Sequence, residues 1–226
     1  MRIAEVFYSI QGEGVLAGVP SVFIRASGCN LRCQWCDTPY TSWNPEGTEW
    51  SLERILEAVR ADSKGYTVIT GGEPMIQPEI ELLTGRLLEL RQHITIETAG
   101  TVFRNVRCDL MSISPKLAHS TPWEVDGRLA RQHERLRYQP GVLRRLIETY
   151  DYQLKFVVRQ REDTGEIERI IGEIGAERSK VLLMAEGITP DQVRERAQWV
   201  VEACKSLGFR YSPRLHVDLW GNRRGV

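Results

Sequence analysis

Residues 29–38 read Cys-Asn-Leu-Arg-Cys-Gln-Trp-Cys-Asp-Thr (CNLRCQWCDT), with three residues between the first two cysteines and two between the second pair. A tetrahedral zinc site takes four ligands and a disulfide framework an even number, so three thiols in one tight loop leave a position to complete. Three readings of Cys29, Cys33 and Cys36 follow from the residues alone. They are buried structural cysteines, or a zinc site completed by Cys108, Cys204 or a histidine, or a four-iron cluster held at three irons. Arg32, Gln34 and Asp37 make the loop a poor place to bury thiols, and zinc sites commonly pair two short clusters where this chain has one. A soft iron–sulfur centre would leave its fourth iron open to a non-protein ligand.

Working outward, the loop follows the apolar run Ser21–Ala26, one of seven short β-branched runs. The others are Ile3–Phe7, Tyr66–Thr70, His93–Thr98, Asp109–Ile113, Tyr152–Val158 and Lys180–Met184. Amphipathic segments alternate with them: Leu52–Ala61 behind Ser51, Glu79–Arg91, Gly141–Tyr150, Glu166–Gly175 and Pro190–Leu207. Such alternation predicts an α/β fold on a parallel sheet, wound open or curled into a barrel, in a single domain spanning 1–226. Residues 116–139 are the least regular stretch and read as a long loop or short helix over the sheet. If the strands are parallel, their carboxyl ends share one edge, where such folds build active sites. SIQGEG, the cysteine loop, TGGEP, ETAG and SISPK each end a strand and are expected to meet there.

Composition narrows the function classes. Thirty basic residues balance thirty acidic ones, which argues against a sequence-independent grip on nucleic acid. No apolar run approaches the ~20 residues of a membrane span, and the start MRIAEVFYSI lacks the apolar core of a signal peptide. Five cysteines, an odd number, suit metal or catalytic use in a reducing cytoplasm better than disulfides.

The order C-x3-C-x2-C at one strand end and Gly71-Gly72-Glu73-Pro74 at a later one resembles the radical S-adenosylmethionine superfamily. That resemblance implies an incomplete parallel (β/α) barrel with about six core strands and a reduced helix set. It implies Cys29, Cys33 and Cys36 as ligands of a 4Fe-4S cluster whose open iron takes S-adenosylmethionine, with Trp35 packed beside the cluster. It further implies cofactor contacts from Gly71, Gly72 and Glu73, the last as acceptor for an ammonium group, and from Thr98, Ser112, Ser114, Lys116 and Glu186.

Other residues speak to the substrate. Gln11 and Glu13, bracketed by glycines in Ser9–Gly14, set an amide beside an acid, a pair suited to an amino–keto ring edge such as a pterin or purine. Arg25, inside an apolar strand, is a candidate carboxylate clamp or the partner of a buried acid. Asp37 and Thr38 offer hard oxygen to magnesium next to the last cysteine, unless Thr38 only caps the loop. His216, in an alternating apolar run, reads as a strand residue, of a kind more often found in a core than binding a ligand.

Taken together, SIQGEG, C-x3-C-x2-C-D-T, TGGEP, SPK and the tail LHVDLWGNRRGV resemble the 7-carboxy-7-deazaguanine synthase family nearly end to end, most thinly in Leu117–Leu146. The resemblance implies magnesium-dependent ring contraction of 6-carboxy-5,6,7,8-tetrahydropterin with loss of ammonia, on the route to queuosine and related 7-deazapurines. A radical made from S-adenosylmethionine would take a hydrogen from C6 and finally return it. Ile10, Gln11, Gly12, Glu13, Arg25, Thr70, His216 and Val226 are implied as pterin contacts and Thr38 as the magnesium ligand. An electron donor such as a flavodoxin or ferredoxin and a homodimer are implied as partners. Two rivals remain: a radical activating enzyme acting on a partner protein, which has no use for SIQGEG, and a non-catalytic metal or electron-carrier module.

Overall fold

In the computed structural model, which describes residues 1–226, the seven β-branched runs become strands and two further two-residue strands join them, nine in all. They are β1 (Arg2–Ile10), β2 (Pro20–Ala26), β3 (Thr48–Glu49), β4 (Tyr66–Gly71), β5 (His93–Thr98), β6 (Leu110–Ile113), β7 (Tyr152–Val158), β8 (Val181–Ala185) and β9 (Arg210–Tyr211). Eight helices accompany them: α1 (Pro39–Ser42), α2 (Leu52–Asp62), α3 (Ile80–Glu89), α4 (Gly127–Leu136), α5 (Pro140–Thr149), α6 (Asp163–Ile174), α7 (Pro190–Leu207) and α8 (Leu215–Trp220). All strands join one sheet in the order β3-β1-β2-β4-β5-β6-β7-β8-β9. From β2 to β9 every pairing is parallel, while β1 runs antiparallel to β2 and β3.

Side chains alternate across a strand, so each strand divides its residues between two faces. Val22 and Ile24, Ile94 and Ile96, and Leu154 and Phe156 all join the main apolar core. Their alternates Phe23 and Arg25, Glu97, and Lys155 instead line a single cavity, to which β1, β4, β6 and β8 also contribute. A sheet whose polar alternates share one lumen is curled, and β3 and β9 leave it open as an incomplete barrel. Six parallel strands of substantial length and the two-residue β9 make up the parallel part.

The antiparallel β1 corrects one expectation. Ile10 pairs with Pro20 at the amino end of β2, opposite the edge that carries the cysteines. SIQGEG therefore does not end on the carboxyl edge. It turns under the barrel and sends Gln11 and Glu13 into the lumen from the floor, where Gly14 N–H donates to Ser212 Oγ (2.8 Å) and Val15 N–H to Gln153 Oε1 (2.9 Å).

One alternative left open by the sequence is resolved, and one element differs from its reading. Residues 127–136 form the regular helix α4, capped by Asp126, which accepts from Arg128 N (2.7 Å) and Leu129 N (2.9 Å). His216 lies on helix α8, not in a strand, and Val217 beside it is the helix's one buried residue. No helix is long and apolar enough to cross a membrane.

Candidate active site

The lumen and the carboxyl edge of the sheet enclose a cavity of about 510 Å³, within the usual size range of small-molecule sites. Its upper wall is the cysteine loop, which follows β2 and is pinned by backbone bonds. Gly28 N–H donates to Thr41 O (2.8 Å), and Glu73 N–H donates to Gly28 O (2.9 Å). The glycine pair is what allows this approach. A Cβ on Gly72 would land on the Gly28 carbonyl, and Gly71, at φ 132°, lies directly against the Ala26 backbone. The glycines thus seat the cysteine loop as well as lining the cavity.

Cys29, Cys33 and Cys36 all line this cavity and are unpaired thiols. They pack with Leu31, Ala99 and Leu136 in a small apolar cluster of their own. Burial pushes the Cys29 and Cys33 thiols up to about 12, so thiolates would persist here only beside added positive charge. The chain nowhere converges three or more His, Cys, Asp or Glu side chains as one metal ion would require. Three soft donors spread around an apolar cup suit a cluster that takes one thiolate per iron. Trp35 borders the same cavity, its indole N–H bonded to His119 Nδ1 (2.9 Å). Cys108 packs against the main core and Cys204 donates to Arg210 O (3.2 Å), both apart from the cavity.

Of the residues implied as cofactor contacts, Gly71, Gly72, Thr98, Ser112, Ser114, Lys116 and Glu186 line the cavity. Glu73 does not. Its carboxylate is fully buried and accepts from Thr98 Oγ1 (2.8 Å), Ala99 N (2.8 Å) and Met75 N (3.0 Å). Burial raises its pKa, with these hydrogen bonds opposing. Its carboxylate ties the GGEP turn to the ETAG strand end. Lys116 Nζ donates to Ser114 Oγ (2.9 Å), and Glu186 lies 3.6 Å from Arg196 Nη2.

Thr38 stands at the start of α1 without a side-chain cap bond; its carbonyl, not its hydroxyl, holds Thr41 N (2.9 Å). The hydroxyl borders the cavity, with Thr41 Oγ1 at 3.4 Å and Cys36 Sγ at 3.9 Å. It is a hard oxygen open to a cation that also binds a ligand and water. Asp37 is committed elsewhere, to Arg214 Nη2 at 2.5 Å.

The floor of the cavity carries a dense polar network. Gln11 donates to Glu97 Oε1 (3.2 Å) and accepts from Glu13 N (3.1 Å), and Thr70 Oγ1 donates to Glu97 Oε2 (2.8 Å). Glu13 is paired with Lys155 Nζ and with Arg214 Nε (3.2 Å), and His216 Nε2 stands 3.8 Å from it. Burial alone would raise Glu13, but Lys155 and Arg214 hold its carboxyl far below the ordinary range. Burial keeps His216 below its usual value, with Glu13 opposing. Gly12 is the floor's other glycine: a Cβ there would strike the His216 ring.

On the side wall Arg25 Nε is bonded to Glu5 Oε1 (2.7 Å), which also accepts from Tyr40 OH (2.8 Å). Arg25 is thus both an ion-pair partner and a wall residue. Glu5 takes the Nε, and no protein acceptor is assigned to the two Nη groups. Ile10 and Val226 line the cavity too, and Arg224 fixes the tail by stacking 3.9 Å from the Tyr40 ring and bonding Glu46 Oε2 (2.8 Å).

Sequence reasoning missed Lys155 and Arg214. Lys155 carried a signal, a lone lysine in the apolar run YQLKFVV two places from Gln153; Arg214 carried none.

Comparisons with known proteins agree with this geometry. Residues 23–119 match the family model of the radical SAM superfamily. The chain is 44% identical to the 7-carboxy-7-deazaguanine synthase of Rhodopirellula baltica, over all of this chain and 89% of that one. It is 43% identical to that of Halobacterium salinarum, over 98% and 91% of the two chains. Among solved structures, QueE from Escherichia coli superposes with a TM-score of 0.70 at 25% identity, covering 95% of this chain and 94% of that one.

Proposed function

The chain belongs to the 7-carboxy-7-deazaguanine synthase family of radical S-adenosylmethionine enzymes, and from that premise we propose how its cavity serves the family's reaction. That reaction contracts the ring of 6-carboxy-5,6,7,8-tetrahydropterin to 7-carboxy-7-deazaguanine and releases ammonia. When bound, the 4Fe-4S cluster and S-adenosylmethionine supply the hydrogen-abstracting radical.

The residues on hand divide by position. Cys29, Cys33 and Cys36 hold the cluster inside the apolar cup. Gly71, Gly72, Thr98, Ser112, Ser114, Lys116 and Glu186 border the space for S-adenosylmethionine beside it, and Glu73 braces that wall from behind. Gln11 and Glu13 bind the amino–keto edge of the pterin from the floor, with Ile10 and Gly12 shaping its bed and Thr70 and His216 flanking it. Arg25 offers its free Nη pair to the substrate carboxylate. The Thr38 hydroxyl would hold magnesium, and Val226 borders the same cavity. Wrapping the sheet around the ligand excludes water from the radical's reach.

The single observation that carries this reading is the shared lumen: the floor network and the three thiols face one cavity from opposite ends. A flavodoxin or ferredoxin as electron donor, a homodimer and a cytoplasmic setting complete the proposal, in keeping with a cluster that needs reducing surroundings. The rival readings fare less well, since a protein-activating enzyme has no use for the charged floor and an electron carrier none for a cavity this size. The test is ammonia release by anaerobically reconstituted protein. It should require the carboxytetrahydropterin, S-adenosylmethionine and reductant together, and rise with magnesium. Ammonia formed without the pterin, or none formed with every component present, would contradict the proposal.

A further inference from the structure

Lys155 is buried inside the barrel and lies on the lumen face of β7, whose alternate residues Leu154 and Phe156 belong to the apolar core. A lysine in such a place needs anionic partners. It has two, from elements far apart in sequence: Glu13 on the floor segment, hydrogen-bonded to Nζ, and Glu97 on β5, at 3.7 Å. Both carboxylates line the cavity. We propose that Lys155 is a positioning residue for the pterin, its ammonium holding Glu13 and Glu97 as paired, ionised acceptors for the N–H-rich edge of the ring. The proposal rests on the functional reading above and deepens it.

The charges around the lumen point the same way. Glu13, Glu97 and Asp37 set three carboxylates against Lys155 and Arg214, and His216 is held neutral by its burial. Within this ion-paired network one negative charge is left over, which suits a ligand edge made of N–H donors; the cavity's remaining charged lining is Arg25, Lys116, Glu186, Arg223 and Arg224. Glu97 is already braced by Gln11 on one oxygen and Thr70 on the other. Without the ammonium, the two carboxylates would share a water-poor site with Arg214, paired to Glu13, as the one remaining cation of the pair. One would then take up a proton and become a donor where the ligand needs an acceptor.

Lys155→Met keeps the bulk of the side-chain stem and removes the charge. We expect its KM for the carboxytetrahydropterin to rise at least about tenfold at neutral pH, with a smaller change in kcat. That KM should worsen as pH falls from about 8 to about 6, because the site then loses its second acceptor. The wild-type KM should stay level over the same range. Lys155→Arg keeps the charge, so its KM should be intermediate and its pH dependence level. Bound iron, equal in all three proteins, reports an intact barrel. Should the Met variant not fold, the Arg variant decides alone: a level profile supports the proposal, a sloping one overturns it. A wild-type KM in Lys155→Met, or a pH slope no steeper than that of the wild type, also overturns it. If wild-type protein does not turn over the carboxytetrahydropterin at all, it is the functional reading that falls.

Discussion

At the scale of single residues, the cavity is governed by which carboxylates are already spoken for. Glu13 is ionised against two cations, so its contribution to stability is present above its ordinary pKa of 4.5 and is lost as pH falls below that value. Glu13→Gln should therefore cost about 3–5 kcal/mol at pH 7, by leaving Lys155 with Glu97 alone and Arg214 with Asp37 alone. The gap between variant and wild type should narrow as denaturation is followed below about pH 4.5, because Glu13 of the unfolded wild type then takes up a proton that the folded protein excludes. A gap that does not change with pH would contradict the pairing. Thr38→Ala makes a different claim: its hydroxyl caps nothing, so removing it should weaken the magnesium response of turnover more than it weakens S-adenosylmethionine binding. A full magnesium response in that variant would remove Thr38 as a ligand. Residue-level chemistry was legible where partners are local. The cysteine spacing and the GG pair could be read directly, because loop geometry and close backbone approach are short-range demands. Lys155 and Arg214 could not, since their partner Glu13 stands 142 and 201 positions away. Glu73 is a related case: its motif gave its position, but only the fold shows its carboxylate accepting from Ala99 N–H.

At the scale of elements, strand runs were easy to place because short β-branched and aromatic segments stand out between turn residues, and β5 and β7 have the bounds the sequence suggests. Direction was not legible. Nothing in Ile3–Phe7 says that β1 runs antiparallel, and that one reversal moves SIQGEG from the rim to the floor. Helix α4 was obscured because its inward stripe holds only Ala130 and His133 as fully buried residues. Yet it matters to the site, since His133 Nδ1 accepts Arg32 N–H (3.0 Å) and so holds the cysteine loop in place. The seat of that loop is tested by Gly72→Ala, whose new Cβ would collide with the Gly28 carbonyl. Backbone against backbone leaves no rotamer to relieve the clash, so a loss of about 1–3 kcal/mol is expected. Bound iron should fall with it. Normal iron content in Gly72→Ala would mean that the loop has another seat.

At the scale of the whole molecule, the barrel separates two tasks. The carboxyl edge gathers the thiols and the wall proposed for the cofactor, and the floor segment enters from below with the groups proposed to choose the substrate. Because the two meet only in the lumen, a change at either end should alter one task before the other. Cys36→Ala should abolish reductive cleavage of S-adenosylmethionine while leaving a folded protein. This division was partly visible in the sequence, as motifs at successive strand ends. The closing of the floor was not, because it depends on tertiary contacts such as Gly12 O with Leu215 N–H. The most direct test of the account is a product mass. Reconstituted protein is incubated anaerobically with S-adenosylmethionine, reductant, magnesium and 6-carboxy-5,6,7,8-tetrahydropterin, and the products are read by mass spectrometry. The account predicts 7-carboxy-7-deazaguanine, lighter than the pterin by one ammonia. Deoxyadenosine formed while the pterin stays unchanged would contradict it.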